Sequence, residues 1–125
     1  MALDQHSSLE SLRADLAAAE GLEPTAALPH LRSAADRLTG LIDDTMAQAV
    51  LAGQASLRSA GASVGLSENA VGPRLARTSS LGAYANDAGR VTAAGVQRAQ
   101  YDQETGTART AEPREPLRFK PRRNT

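Results

Sequence analysis

Apolar positions recur at helical intervals through the first half of the chain. Leu9, Leu12 and Leu16 stand three and four residues apart, Ser7 and Glu10 have the spacing of a capping box, and Gly21 closes the run. A first helix is expected over about residues 8–20. Pro24 and Pro29 bracket the start of a longer pattern in which Leu31, Ala35, Leu38, Ile42, Thr45 with Met46, and Ala49 share one face. Pro29 suits a first helical turn, so the second helix is expected over 29–52. Gly40 lies inside it and weakens it by roughly 1 kcal/mol relative to alanine, so packing is expected to hold it there.

The segment 52–77, AGQASLRSAGASVGLSENAVGPRLAR, is punctuated differently. Ser56 can cap a short helix ending near Val64, Gly65-Leu66 can make a tight turn, and Ser67 can cap a second helix that begins Glu68-Asn69. Ala60-Gly61 allows two helices to cross closely. Val64 and Leu66 would anchor the turn, and Val71 and Leu75 would return to the core one turn apart.

Pro73 lies six positions past the Ser67 cap, where it removes a helical hydrogen bond and clashes with the Asn69 carbonyl, at a cost of about 3 kcal/mol. The helix is therefore expected to kink or restart. A restart leaves a short segment, 68–72, followed by a helical turn carrying Arg74 and Arg77.

Thr78-Ser79-Ser80 breaks the pattern, Asn86-Asp87-Ala88-Gly89 signals a turn, and Arg90-Val91 resumes an extended register. A minimal wing and a surface loop between helices both fit. Thr92 can cap a fifth helix over 93–103, with Val96 and Tyr101 as its inward side. From Glu104 onward prolines and charges dominate, and a disordered tail with a basic end at Arg118, Lys120, Arg122 and Arg123 is expected.

The resulting fold class is all-α, a small bundle of roughly five helices with a helix-turn-helix and room for a minimal wing. Three segments are expected: 1–52 as helical support or dimerisation surface, 53–103 as the helix-turn-helix segment, and 104–125 as the basic tail. Only 2% of residues are aromatic, so the core must rest on Leu, Val and Ala.

Charge changes this picture. The net is zero, but residues 1–52 hold three Arg against eight Asp and Glu, whereas 53–125 hold eleven Arg and Lys against six. A basic half of this kind can meet a polyanion if the acidic half turns away. Thirteen of the fourteen basic residues are arginine and alanine is abundant, a bias expected of a high-GC bacterial or phage coding sequence. There is no cysteine and no apolar run approaching the roughly 20 residues of a membrane span. The N-terminal residues lack a signal-peptide pattern, so the cytoplasm is the expected location.

Candidate chemistry is sparse. His6 and His30 are isolated and read as surface residues, and Asp43-Asp44 reads as a solvated helix face. No serine has a His and Asp partner at a recognisable spacing, and Gly61-x-x-x-Gly65 is neither a phosphate loop nor a nucleotide fingerprint. Neither enzymatic activity, nor a metal, nor a cofactor is expected.

The residues Ser56, Leu57, Ala60-Gly61, Val64-Gly65-Leu66-Ser67, Ala70 and Arg74-Leu75 resemble the helix-turn-helix of region-4-like sigma-factor domains, over about 25 of the 125 residues. The chain departs from that pattern at Ala60, which replaces a larger anchor, and at Gly72-Pro73. What the resemblance implies is sequence-specific binding of double-stranded DNA by a transcriptional regulator. On that reading Ser67, Glu68 and Asn69 stand at the bases, Arg74 and Arg77 clamp phosphates or read guanine, and Arg90 reaches the backbone or a neighbouring groove. A homodimer through the leucines of the first two helices would place two readers one turn of DNA apart. The competing expectation is a helical interaction module, antitoxin-like or a polymerase adaptor, whose partner is RNA polymerase or another protein. Convergence of Arg58, Arg74, Arg77, Arg90 and Arg98 on one face favours DNA, and acidic patches around that face favour the adaptor.

Overall fold

The structure, a computed structural model, describes residues 2–106, with side chains from Ser7 onward. The expected tail beyond Gly106, with its basic end, lies outside the described residues, as does the side chain of His6. The described residues are all-helical, in the order α1 (Ala2–Ala19), α2 (Pro24–Leu51), α3 (Leu57–Ser63), α4 (Glu68–Leu75), a 3-10 turn (Gly82–Tyr84) and α5 (Ala93–Thr105). They fall into two compact units that divide inside α2, between Thr45 and Met46.

In the first unit α1 begins at Ala2, well before Ser7, so Ser7 and Glu10 sit within the helix and form no cap. Pro24, not Pro29, occupies the first turn of α2. A proline there forgoes only an N–H that has no helical partner. Gly21, at φ +80°, turns the chain between the two helices. Among the described residues of this unit the buried apolar side chains are Ala19, Ala27 and Ala34, whereas Leu31 and Leu38 are each 44% exposed. Of the α2 stripe, Leu31, Ala35 and Leu38 are exposed, Ile42 and Ala49 are half-buried and Met46 is buried, while Ala27 and Ala34 are covered beside it. Asp43 is buried rather than solvated, Asp44 is exposed, and His30 is half-buried. A Cβ on Gly40 would meet nothing within 4 Å, so close packing does not explain that glycine.

The second unit has the larger apolar core. Val71, Leu75 and Leu81 are fully buried, and Val91, Val50, Val96 and Ala99 are nearly so. The end of α2 joins this core through Met46, Ala47 and Val50. Its last carbonyls, on Val50 and Leu51, accept from the Gln100 side-chain amide at 3.3 Å, so α5 helps to cap α2. α5 is capped by Thr92, whose hydroxyl accepts from the Gly95 N–H, and it runs to Thr105, beyond the expected end. Val96 faces inward as expected, but Tyr101 is 62% exposed. The inward polar group is Asp102, which accepts from the Tyr84 hydroxyl at 2.8 Å and pairs with Arg98. Gly95 lets α5 approach the 3-10 turn closely, because a Cβ there would stand 2.7 Å from the Tyr84 carbonyl oxygen.

No strand occurs among the described residues, so the segment after Tyr84 is a loop rather than a wing. Asn86 closes it: its N–H donates to the Arg90 carbonyl and its side-chain oxygen accepts from Ala88 and Arg90.

Candidate nucleic-acid interface

The helix pair 56–75 is built from its punctuation. Ser56 accepts from the Ser59 N–H, and the Ser59 hydroxyl oxygen accepts from the Ser56 N–H in return, a capping box that starts α3. α3 ends with Gly65 at φ +78° and the Leu66 N–H donating to the Gly61 carbonyl at 2.8 Å. That six-residue closure around a left-handed glycine is a Schellman motif. Ser67, in extended conformation, precedes α4, although its side chain makes no capping bond.

The two helices cross at Gly61. A Cβ there would lie 2.5 Å from Val71 Cγ2 and 3.0 Å from the Leu66 carbonyl oxygen, so only glycine allows this approach. Val71 and Leu75 hold α4 to the core as expected, whereas Val64 is exposed and Leu66 is half-buried, and neither is a core anchor.

Pro73 does not break α4 or make it restart: the helix is continuous from Glu68 to Leu75. The reason lies in the loop. The carbonyl that loses its partner to Pro73 belongs to Asn69, and the Arg90 guanidinium donates to it at 2.7 Å. Beside it the Val91 N–H donates to the Gly72 carbonyl at 3.1 Å. Gly72 leaves room for both, since a Cβ there would crowd the Val91 carbonyl and the Arg90 side chain at 3.1–3.4 Å.

The candidate residues are distributed as follows. Ser67, Glu68 and Asn69 are exposed at the start of α4, Arg74 is half-buried on its last turn, and Arg77 is exposed just beyond. Helical spacing puts Asn69, Ala70 and Pro73 on the side away from Val71 and Leu75, with the half-buried Arg74 on the flank. Glu68 is paired with Arg58 of α3 at 3.3 Å, a link between the helices for which neither residue gives a local signal. Arg90 lies against α4 through its bond to the backbone, rather than on a projecting wing. Of the five arginines whose convergence was the criterion, Arg58 and Arg98 are in ion pairs and Arg90 bonds a carbonyl. Arg74 and Arg77 are the two carried by α4 and its end. Residues 46–106 hold five Arg against four Asp and Glu, so most of the positive balance of the C-terminal half falls in 107–125.

Among the described residues no group of three or more His, Cys, Asp or Glu could hold a metal ion, and no helix is long and apolar enough to cross a membrane. No protein-family model, no curated protein and no solved structure matches this chain.

Proposed function

We propose that residues 56–77 form a helix-turn-helix reader of double-stranded DNA, with α4 as the helix that enters the major groove, in a cytoplasmic transcriptional regulator. The observation that carries this reading is the geometry of α4. Its inner face is fixed by Val71 and Leu75, both fully buried, and by the crossing at Gly61, while its N-terminal residues Ser67, Glu68 and Asn69 stand exposed. A groove reader needs such a rigid helix whose first turn is accessible to base edges. The likeness to region-4-like sigma-factor domains rests on the same residues.

Asn69 is suited to adenine and the N-terminal end of α4 to phosphate or base acceptors. Arg74 and Arg77 serve phosphates or guanine. Glu68 reaches a base only by exchanging its partner Arg58. Arg90 acts on DNA indirectly, by supplying the donor that the Asn69 carbonyl of α4 lacks.

A second reading, a module that binds RNA polymerase or another protein, is favoured by the small net charge of residues 46–106, five Arg against four acids. Mobility shifts of the full chain on duplex fragments, titrated with salt, separate the two. DNA reading requires binding at low salt that weakens steeply as salt rises; no shift at low salt leaves the protein-partner reading.

A further inference from the structure

In the second unit the end of α2 and the side of α5 form two adjoining concavities, with Gln100 on the wall of both. Gln100 is held there because its side-chain amide donates to the Val50 and Leu51 carbonyls. The first concavity lies toward the C-terminal end of α5, among Leu51, Ala52, Gln103 and Glu104. The second lies toward the N-terminal end of α5 and extends to α3. Val50 and Val96 are its buried floor, and Ala55, Leu57, Ala93 and Gln97 stand around them. Its volume is about 180 Å³, and among the described residues no charged side chain lines it. An apolar cavity of about 150 Å³ takes a benzene ring.

The chain carries such a ring beyond the described residues. Phe119 is its only phenylalanine, and the other aromatic residues, Tyr84 and Tyr101, belong to the described part. Residues 107–118 separate Phe119 from Gly106, where α5 has ended. Back along α5, the distance from Gly106 to Gln97 is about 14 Å at 1.5 Å per residue. A coil the length of 107–118 has an r.m.s. reach of roughly 20 Å, and a tether is most effective when its reach matches the span. Tethering of this kind supplies a local concentration in the millimolar range.

Leu117 and Phe119 match the pair of concavities in order and in spacing. A chain returning from Gly106 passes the first concavity before the second. The two are centred about 9 Å apart along α5, and alternate residues of an extended segment stand about 6.6 Å apart on one face, a difference that Leu and Phe side chains can span. The same alternation turns Arg118 outward. Charge agrees as well: Glu104 is the one charged residue on either lining, whereas 107–125 hold six Arg and Lys against two Glu.

We infer that the C-terminal segment docks on its own fold, with Leu117 in the first concavity and Phe119 in the second. The docked segment carries Lys120, Arg122 and Arg123 to the start of α3, beside Leu57. In a helix-turn-helix the first helix lies across the phosphate backbone. The tail would then supply the positive charge that residues 46–106, with five Arg against four acids, lack. This consequence rests on the DNA reading proposed above; the docking does not.

Fluorescence of the full chain without DNA tests the docking. The chain has no tryptophan, so Phe119→Trp introduces a single reporter. Its emission is expected to be blue-shifted and protected from acrylamide, to the same extent at every protein concentration. In that background Ala93→Glu puts a carboxylate on the rim of the second concavity, and is expected to shift the emission to the red and remove the protection. Ala94→Glu, its neighbour on the first turn of α5 but outside the concavity, is expected to change neither. Both place an acid at a helix N-terminus, which favours α5. If circular dichroism shows that Ala93→Glu loses helix, Gln97→Glu, exposed on the next turn, is expected to give the same red shift at full helicity. A solvent-exposed emission for Phe119→Trp alone, protection that grows with protein concentration, or equal effects of Ala93→Glu and Ala94→Glu overturns the proposal. Phe119→Ala keeps every charge and is expected to lower the slope of log duplex affinity against log salt; an unchanged slope overturns the placement of the basic end at α3. A protected tryptophan in a chain that binds no duplex at low salt supports the docking and removes the DNA reading.

Discussion

The Arg90 guanidinium donates to the Asn69 carbonyl at 2.7 Å, across 21 residues of sequence, and replaces the donor that Pro73 cannot supply. A side chain from the loop thereby completes a backbone ladder in α4. Arg90→Ala should remove about 1 kcal/mol of stability, a charged hydrogen bond discounted for partial exposure. Pro73→Ala restores a main-chain donor to the same carbonyl, so Arg90→Ala should cost measurably less in that background. Urea denaturation of the four members of this cycle gives the coupling directly. Additive effects would mean that the two residues do not share one carbonyl.

The helix crossing sets the next expectation. Gly61→Ala places a Cβ 2.5 Å from Val71 Cγ2. Val71 is fully buried and β-branched, so it has little freedom to move aside. Overpacking should outweigh the roughly 1 kcal/mol that alanine gains in helix propensity, for a net loss of about 1–2 kcal/mol. A raised urea midpoint for Gly61→Ala would contradict the close crossing.

These two sites differ in how far the sequence discloses them. Both ends of α3 and the start of α4 were legible because Ser56 caps and Gly65 turns left-handed within a few residues of themselves, and Ser67 enters α4 in extended conformation, though without a capping bond. The continuity of α4 was not legible, because the group that rescues it lies in a loop after another turn of chain. Likewise the repeat Leu31, Leu38 identified an apolar face of α2 but not which face is covered, and Ala27 and Ala34 took that place. Ser7 and Glu10 had capping spacing, yet a box requires the helix to begin there, and α1 was already under way from Ala2. Arg58 with Glu68 and Tyr84 with Asp102 are tertiary pairs, ten and eighteen residues apart, which no local pattern announces.

Asp102 is buried on α5 and takes the Tyr84 hydroxyl at 2.8 Å and Arg98 at 3.4 Å. Tyr84→Phe leaves that carboxylate short of one donor at nearly constant volume. A loss of about 1.5–3 kcal/mol is expected in thermal or urea unfolding. Asp102→Asn, which keeps an acceptor for the hydroxyl, should be milder than Asp102→Ala.

Gly40 stands in the middle of α2 with open space where a Cβ would go. Gly40→Ala should therefore stabilise the chain by about 0.5–1 kcal/mol, seen as a higher unfolding midpoint at unchanged circular dichroism. A loss of stability would place a neighbour at this position in solution.

The DNA reading is tested most sharply by asking α4 to separate affinity from specificity. Arg74→Ala and Arg77→Ala should each weaken binding to all duplexes alike and lower the slope of log affinity against log salt by about 1, if each meets a phosphate. Asn69→Ala should leave the slope unchanged and lose about 1–3 kcal/mol of discrimination at a single base pair. Arg90→Ala should leave the slope unchanged too, since its guanidinium is directed at the Asn69 carbonyl, and its effect on affinity should follow the loss of α4 stability. Mobility shifts at several salt concentrations with all four variants distinguish these cases. A fall in slope for Arg90→Ala equal to that of Arg77→Ala would assign Arg90 a phosphate instead, and would require its side chain to leave α4 on binding.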